Sequence, residues 1–151
     1  EIARMPVPAG LTAETLKEQM AKFLGDQYQT PPMFSAKKVG GVPLYKLARQ
    51  GQEVAREPRF IRVSKFDLLS WENPKAKFIL SCTKGTYVRT LCHDLGKRIG
   101  CGARMTALRR ISSDKFNVAD AVTLDELSQM SPSSIKKILI PVRSAVPSLA
   151  F

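Results

Sequence analysis

Residues 84–89 read Lys-Gly-Thr-Tyr-Val-Arg, and they hold the side chains best suited to chemistry in this chain. A strand-like segment ends just before them and a helix-like one opens just after. Glycine at such a turn lets the backbone reverse, so the residues that follow project from it. Those residues are Tyr87 and Arg89, two positions apart, a spacing that could set a phenol and a guanidinium beside one pocket. A guanidinium so placed pairs with a carboxylate or a phosphate through two parallel hydrogen bonds. This is half of an active site, and a carboxylate would have to come from elsewhere.

The flanking elements that must position this turn are legible in outline. Arg59–Ser70 alternates through Phe60, Arg62, Val63 and Phe66, and Lys77–Cys82 through Phe78 and Leu80, with Asn73-Pro74 between them. That pattern predicts an antiparallel hairpin with one buried face. Thr90–Gly100 predicts the helix after the turn. Near the start, Thr12 caps a helix expected to run to Leu24, with Leu16, Met20, Phe23 and Leu24 on one face and Gly25 as its stop. Gly100-Cys-Gly102 breaks the chain, and Ala103–Ile111 reads as another strand. Thr123-Leu-Asp-Glu126 fits a capping box, opening a helix to about Met130, and a further short helix is expected over Ser133–Leu139. Strands and helices mix without strict alternation. The expected class is α+β, a mixed and largely antiparallel sheet with flanking helices.

A chain of 151 residues with 44% hydrophobic content forms about one domain with a true core. Its formal charge of +11 is concentrated. Residues 31–65 carry eight Lys/Arg against Glu53 and Glu57, and residues 84–115 carry eight against Asp94 and Asp114. Brought together, the two segments would make a polyanion-binding face of the kind that suits nucleic acid; the alternative is a generally basic, soluble surface. The stretch from Thr30 to Arg59 has its own texture. Its double proline and double glycine forbid a continuous helix, and only Leu44–Arg49 could supply a turn or two. Phe34 and Tyr45 stand among its cations, a pattern that suits phosphate neutralisation with stacking on unpaired bases, or else two aromatics packed inward.

Other chemistries find little support. Cys82, Cys92 and Cys101 include no C-x-x-C pair and, with the single His93, make neither a zinc signature nor a disulfide framework. Cys82 and Cys92 read as small buried residues, and His93 as a surface or capping residue because its neighbour Asp94 cannot face it across one helix turn. No helix-turn-helix or zinc pattern suggests a DNA reader. No apolar run approaches membrane-spanning length and no charged-then-apolar leader begins the chain, so no membrane association and no metal are expected, and a reduced, cytoplasmic setting is.

Three blocks, in order, then carry a resemblance. Pro31-Pro-Met-Phe-Ser-Ala-Lys-Lys-Val-Gly-Gly with Leu44-Tyr-Lys-Leu-Ala-Arg-Gln-Gly51 resembles the bacterial TruB-type tRNA pseudouridine synthases. So do Lys84-Gly-Thr-Tyr-Val-Arg-Thr-Leu91 and Gly100-Cys-Gly-Ala103 with Leu108-Arg-Arg110. The resemblance implies an isomerase that converts uridine to pseudouridine in the T loop of tRNA, at tRNA position 55, without metal or organic cofactor. It implies that Tyr87 packs against the target base, that Arg89 pairs with the catalytic aspartate, and that Leu108 lines the pocket. Residues 31–58 correspond to a thumb-like RNA-binding insertion that clamps the T stem-loop. Lys37, Lys38, Tyr45, Arg49 and Arg56 are its expected contacts, with Arg109 and Arg110 also on the RNA.

The family's essential aspartate sits in a Gly-Thr-Leu-Asp-Pro-like motif, and no such motif occurs here. Asp26, Asp67, Asp94, Asp114, Asp120 and Asp125 lie in unrelated contexts. Residues 1–151 therefore read as the C-terminal part of a pseudouridine synthase catalytic domain, with 112–151 a C-terminal helical extension. The expected partners are tRNA and the missing N-terminal half of that domain. The chain alone is expected to be inactive. The alternative is a non-catalytic RNA-binding module that kept the insertion and lost the chemistry.

Overall fold

The computed structural model describes residues 5–141 and Ser144. The chain divides after Ala107 into two compact units. The first is a three-stranded antiparallel sheet with helices on it. Its opening helix, α1 (Ala13–Ala21), starts at a reciprocal cap: the Thr12 N–H donates to Thr15 Oγ1 at 2.9 Å and the Thr15 N–H to Thr12 Oγ1 at 3.2 Å. Strand β1 (Gly25–Gln29) follows. The next segment holds a two-residue-turn hairpin, β2 (Lys38–Val39) with β3 (Val42–Pro43), and a short helix α2 (Leu44–Arg49). A long hairpin comes next, β4 (Arg59–Glu72) and β5 (Lys75–Cys82), and then helix α3 (Val88–Ile99). The sheet order is β1-β4-β5, with Gln29 opposite Arg59, Gly25 opposite Val63, and Val63 in turn opposite Cys82.

One core closes this unit. Leu16 and Met20 of α1, with Phe23 just after it, meet Val63 and Phe66 of β4 and Leu91 and Leu95 of α3. Phe66 is the hub, edge-on to Phe23 with ring centroids 6.1 Å apart and to Phe78 at 5.0 Å. Burying each such side chain contributes about 1.5–3 kcal/mol, so seven of them dominate the unit's stability. The expected hairpin is present and extends two residues further at its turn. Two helical glycine devices matter as well. Gly100 takes a left-handed φ of 91° and turns the chain back, so that Gly102 N–H reaches Gly96 O at 3.0 Å. The backbone of Gly102 and Ala103 then lies directly on Gly96, where a side-chain carbon would collide with it.

The second unit consists of short, locally capped pieces: hairpin β6 (Ser112–Ser113) with β7 (Phe116–Asn117), a 3-10 turn over Val118–Asp120, and helices α4 (Leu124–Gln129) and α5 (Pro132–Ile138). Both predicted helices are there, and the Thr123–Glu126 capping box is made in both directions. Among the described residues of this unit none is buried.

Four expectations are corrected. Residues 103–111 form no strand, because the segment has no ladder partner among the described residues. The first helix stops at Ala21, and Gly25, with φ 92°, opens β1 instead of ending the helix. Leu24 is exposed, since the chain has left the helical period by then. Cys82 is exposed at the end of β5, whereas Cys92 is buried in α3 as expected. No helix among the described residues is long and apolar enough to cross a membrane.

Candidate functional site

The Lys84–Arg89 turn is built by hydrogen bonds that extend the hairpin past its last ladder pair. Thr83 N–H donates to Arg62 O at 2.9 Å, Arg62 N–H donates to Thr83 Oγ1 at 3.0 Å, and the Thr86 hydroxyl donates to Thr83 O at 2.8 Å. Gly85, with φ 83°, reverses the chain. Tyr87 is then the N-cap residue of α3 and Arg89 lies in its first turn, so the helix starts two residues earlier than the sequence suggested. The Tyr87 carbonyl accepts from Thr90 N–H at 3.0 Å and Leu91 N–H at 3.2 Å, which begins the helix. Leu91 and Leu95, inward at i and i+4, press α3 onto the core and so fix the direction in which its outer face points.

That outer face borders an open groove of ≈ 460 Å³. Arg89, Thr90, His93 and Lys97 line one wall, and Thr30–Phe34 with Arg56 the other. Arg89, His93 and Lys97 recur every four residues, which is one stripe of a helix. Arg89 lines the groove and Tyr87 does not. Arg89 Nη2–H donates to Phe34 O at 2.6 Å, which ties the two walls together. Arg56 Nη2–H donates to Glu53 Oε1 at 2.9 Å, while its buried Nε has no hydrogen-bond partner among the described residues. Among the described residues no Asp or Glu lines the groove. Its chemistry suits an anion held by cations beside a partly apolar surface.

The other expected contacts fall as follows. Lys38 is exposed and Lys37 half-buried on the β2–β3 hairpin, which a fully buried Leu44 anchors at its base. Arg49 stacks its guanidinium over the Tyr45 ring at 5.5 Å, so one face of that aromatic is already covered, while Phe34 stands exposed. Leu108, Arg109 and Arg110 belong to the second unit and are exposed. The Cys92 thiol is pushed above its ordinary pKa by burial, offset in part by a backbone hydrogen bond, and so is no nucleophile near neutral pH. Among the described residues no cluster of three or more His, Cys, Asp or Glu could hold a metal ion. Sequence reasoning missed His93 and Lys97 as groove residues, although their four-residue spacing from Arg89 was the available signal. It also missed Gln29, which no local pattern marks.

Comparison with known proteins places this architecture. The N-terminal domain of the TruB family of pseudouridylate synthases matches residues 1–88, and the tRNA pseudouridylate synthase B C-terminal domain matches residues 89–147. The tRNA pseudouridine synthase B of Opitutus terrae is 58% identical over 148 residues, covering 98% of this chain and 61% of that protein. That of Syntrophotalea carbinolica is 46% identical over 145 residues, covering 94% and 47%. A chain in the crystal structure of a Cbf5–Nop10–Gar1 complex superposes with a TM-score of 0.70 at 25% identity, over 95% of this chain and 41% of that one. The chain thus spans between about half and three fifths of the length of these curated relatives. On matched domains, identity and fold together, the chain belongs to the TruB family of pseudouridylate synthases.

Proposed function

We propose that this chain is the tRNA-gripping and base-supporting part of a cytoplasmic synthase that isomerises the uridine at T-loop position 55 of tRNA. The observation that carries the reading is the Lys84–Arg89 turn, which delivers the Arg89 guanidinium to a groove that no described Asp or Glu lines. In this reading residues 31–58 clamp the T stem-loop through Lys37, Lys38, Tyr45, Arg49 and Arg56, with Arg109 and Arg110 adding contacts. Flipping a uridine out of its stack costs a few kcal/mol, and a firm grip on the loop offsets that. Tyr87 packs against the flipped base, suited to take the proton from carbon 5, with Leu108 lining the pocket. Arg89 pairs with an aspartate that this chain does not supply, keeping it ionised and oriented. The chemistry breaks the N–C glycosidic bond, turns the base and rejoins it through carbon, with no cofactor. The chain alone has no synthase activity in this reading.

The test is tritium release from tRNA labelled at uridine carbon 5, using protein made from the complete parent reading frame. Arg89→Ala is expected to lower turnover about 10²–10³-fold while tRNA affinity falls modestly. A second reading, a non-catalytic RNA-binding module, draws on the Arg89 contact to a carbonyl, that of Phe34, and to no described carboxylate. It predicts no tritium release by the parent, with Arg89→Ala weakening binding and flattening its salt dependence. Release by the isolated chain would overturn its assignment as a supporting part.

A further inference from the structure

Gln29 is buried at 5% exposure at the end of β1, an inward position where a strand ordinarily places an aliphatic residue. Its amide is committed at both ends to one residue 58 positions away. The Tyr87 N–H donates to Gln29 Oε1 at 2.7 Å, and Gln29 Nε2–H donates to Tyr87 O at 3.1 Å. The side chain therefore imitates a neighbouring strand, supplying one acceptor and one donor to a single peptide residue. The orientation of the amide is dictated: turned over, its NH₂ would face the Tyr87 N–H. The start of α3 needs such a fixing, because Tyr87 as N-cap makes no side-chain capping bond of its own. The same stretch of chain holds Arg89, through the Phe34 carbonyl at 2.6 Å. Gln29 sits on the edge strand opposite β5, so the turn is held from β5 through Thr83 and from β1 through Gln29.

We infer that Gln29 is a positioning residue, which fixes the Tyr87 backbone, and with it the direction of the phenol, by this two-point clasp. The inference rests on the reading of Tyr87 as the residue packed against the target base. With the main chain of an N-cap residue held at two atoms, its Cβ direction is set and only side-chain torsions remain free. A misplacement of about 1 Å at a reacting centre is worth up to about a hundredfold in rate. The effect should appear in the chemical step and not in the grip on tRNA, because the expected RNA contacts lie on other residues.

The experiment uses the complete parent protein with Gln29→Leu and Gln29→Glu. It measures single-turnover tritium release, tRNA Kd, melting temperature and amide hydrogen exchange at Tyr87. Gln29→Leu removes both bonds, and we expect its single-turnover rate to fall about tenfold to a hundredfold with Kd within about twofold. Gln29→Glu, when ionised, still accepts from the Tyr87 N–H but cannot donate to its carbonyl, and its rate is expected between the two. Exchange at Tyr87 should quicken in the leucine variant and less in the glutamate one. An active parent in which Gln29→Leu reacts at the wild-type rate, or in which both variants lose rate only in step with folded fraction, would overturn the inference alone. A parent that releases no tritium even unmutated would overturn the functional reading, and this inference with it. Loss of protection at Tyr87 without loss of rate would show a clasp that positions nothing, which also overturns it.

Discussion

The two units of this chain follow the same local rules and reach different ends. Two helices of the first unit bring apolar side chains to one shared core, Leu16 and Met20 from α1 and Leu91 and Leu95 from α3. The helices of the second unit are as well capped, by Thr123 and by Ser131, yet Leu124 is 84% exposed and Leu139 64%. Capping decides where a helix begins. It cannot supply the burial that holds one, and helices of six and seven residues are marginal by themselves in water. The comparison teaches that the stability of this chain is concentrated in residues 5–107, and that the second unit opens at lower free energy.

The largest effect that would sharpen the contrast is expected at Gly96. Alanine there would drive its Cβ into the backbone of Gly102 and Ala103, so Gly96→Ala should cost about 3 kcal/mol or more in a urea titration of the first unit. A midpoint close to wild type would mean that the turn after α3 gives way easily. A pair of leucines comes next. Leu91→Ala, at 1% exposure, should cost about 2–5 kcal/mol, whereas Leu124→Ala should stay within about 0.5 kcal/mol. Equal losses would erase the distinction between the units. The smallest effect is a pH dependence confined to α4. Backbone and then side-chain hydrogen bonds from Thr123 hold the Glu126 carboxyl below its ordinary pKa. A folded pKa depressed in this way contributes helix stability that is present above the unfolded value and lost as pH falls through the folded one. Helical signal from α4 should therefore fade on acidification below the usual glutamate range, and Glu126→Gln should remove that dependence. Unchanged titration in the glutamine variant would refute the assignment.

Residue types at short spacing determined much of this molecule. The Thr12 and Thr123 caps, the hairpin around Asn73-Pro74, the broken Thr30–Arg59 stretch and the turn at Lys84–Arg89 all express preferences settled within a few residues. Those are the interactions a local pattern encodes. Residues 103–111 show the limit, because a strand needs a neighbour to pair with and local residue types do not supply one. β1 went unread for the converse reason: Gly-Asp-Gln-Tyr-Gln has little apolar alternation, and it is a strand because β4 pairs with it. Around the groove, the turn that carries Tyr87 and Arg89 was legible, and its surroundings were not. That Gln29 would meet Tyr87, that Phe34 would meet Arg89, and that bare backbone would cross Gly96 depend on how the sheet and α3 stack. Only tertiary structure decides such contacts, because they join residues whose separation along the chain carries no information until the core has closed.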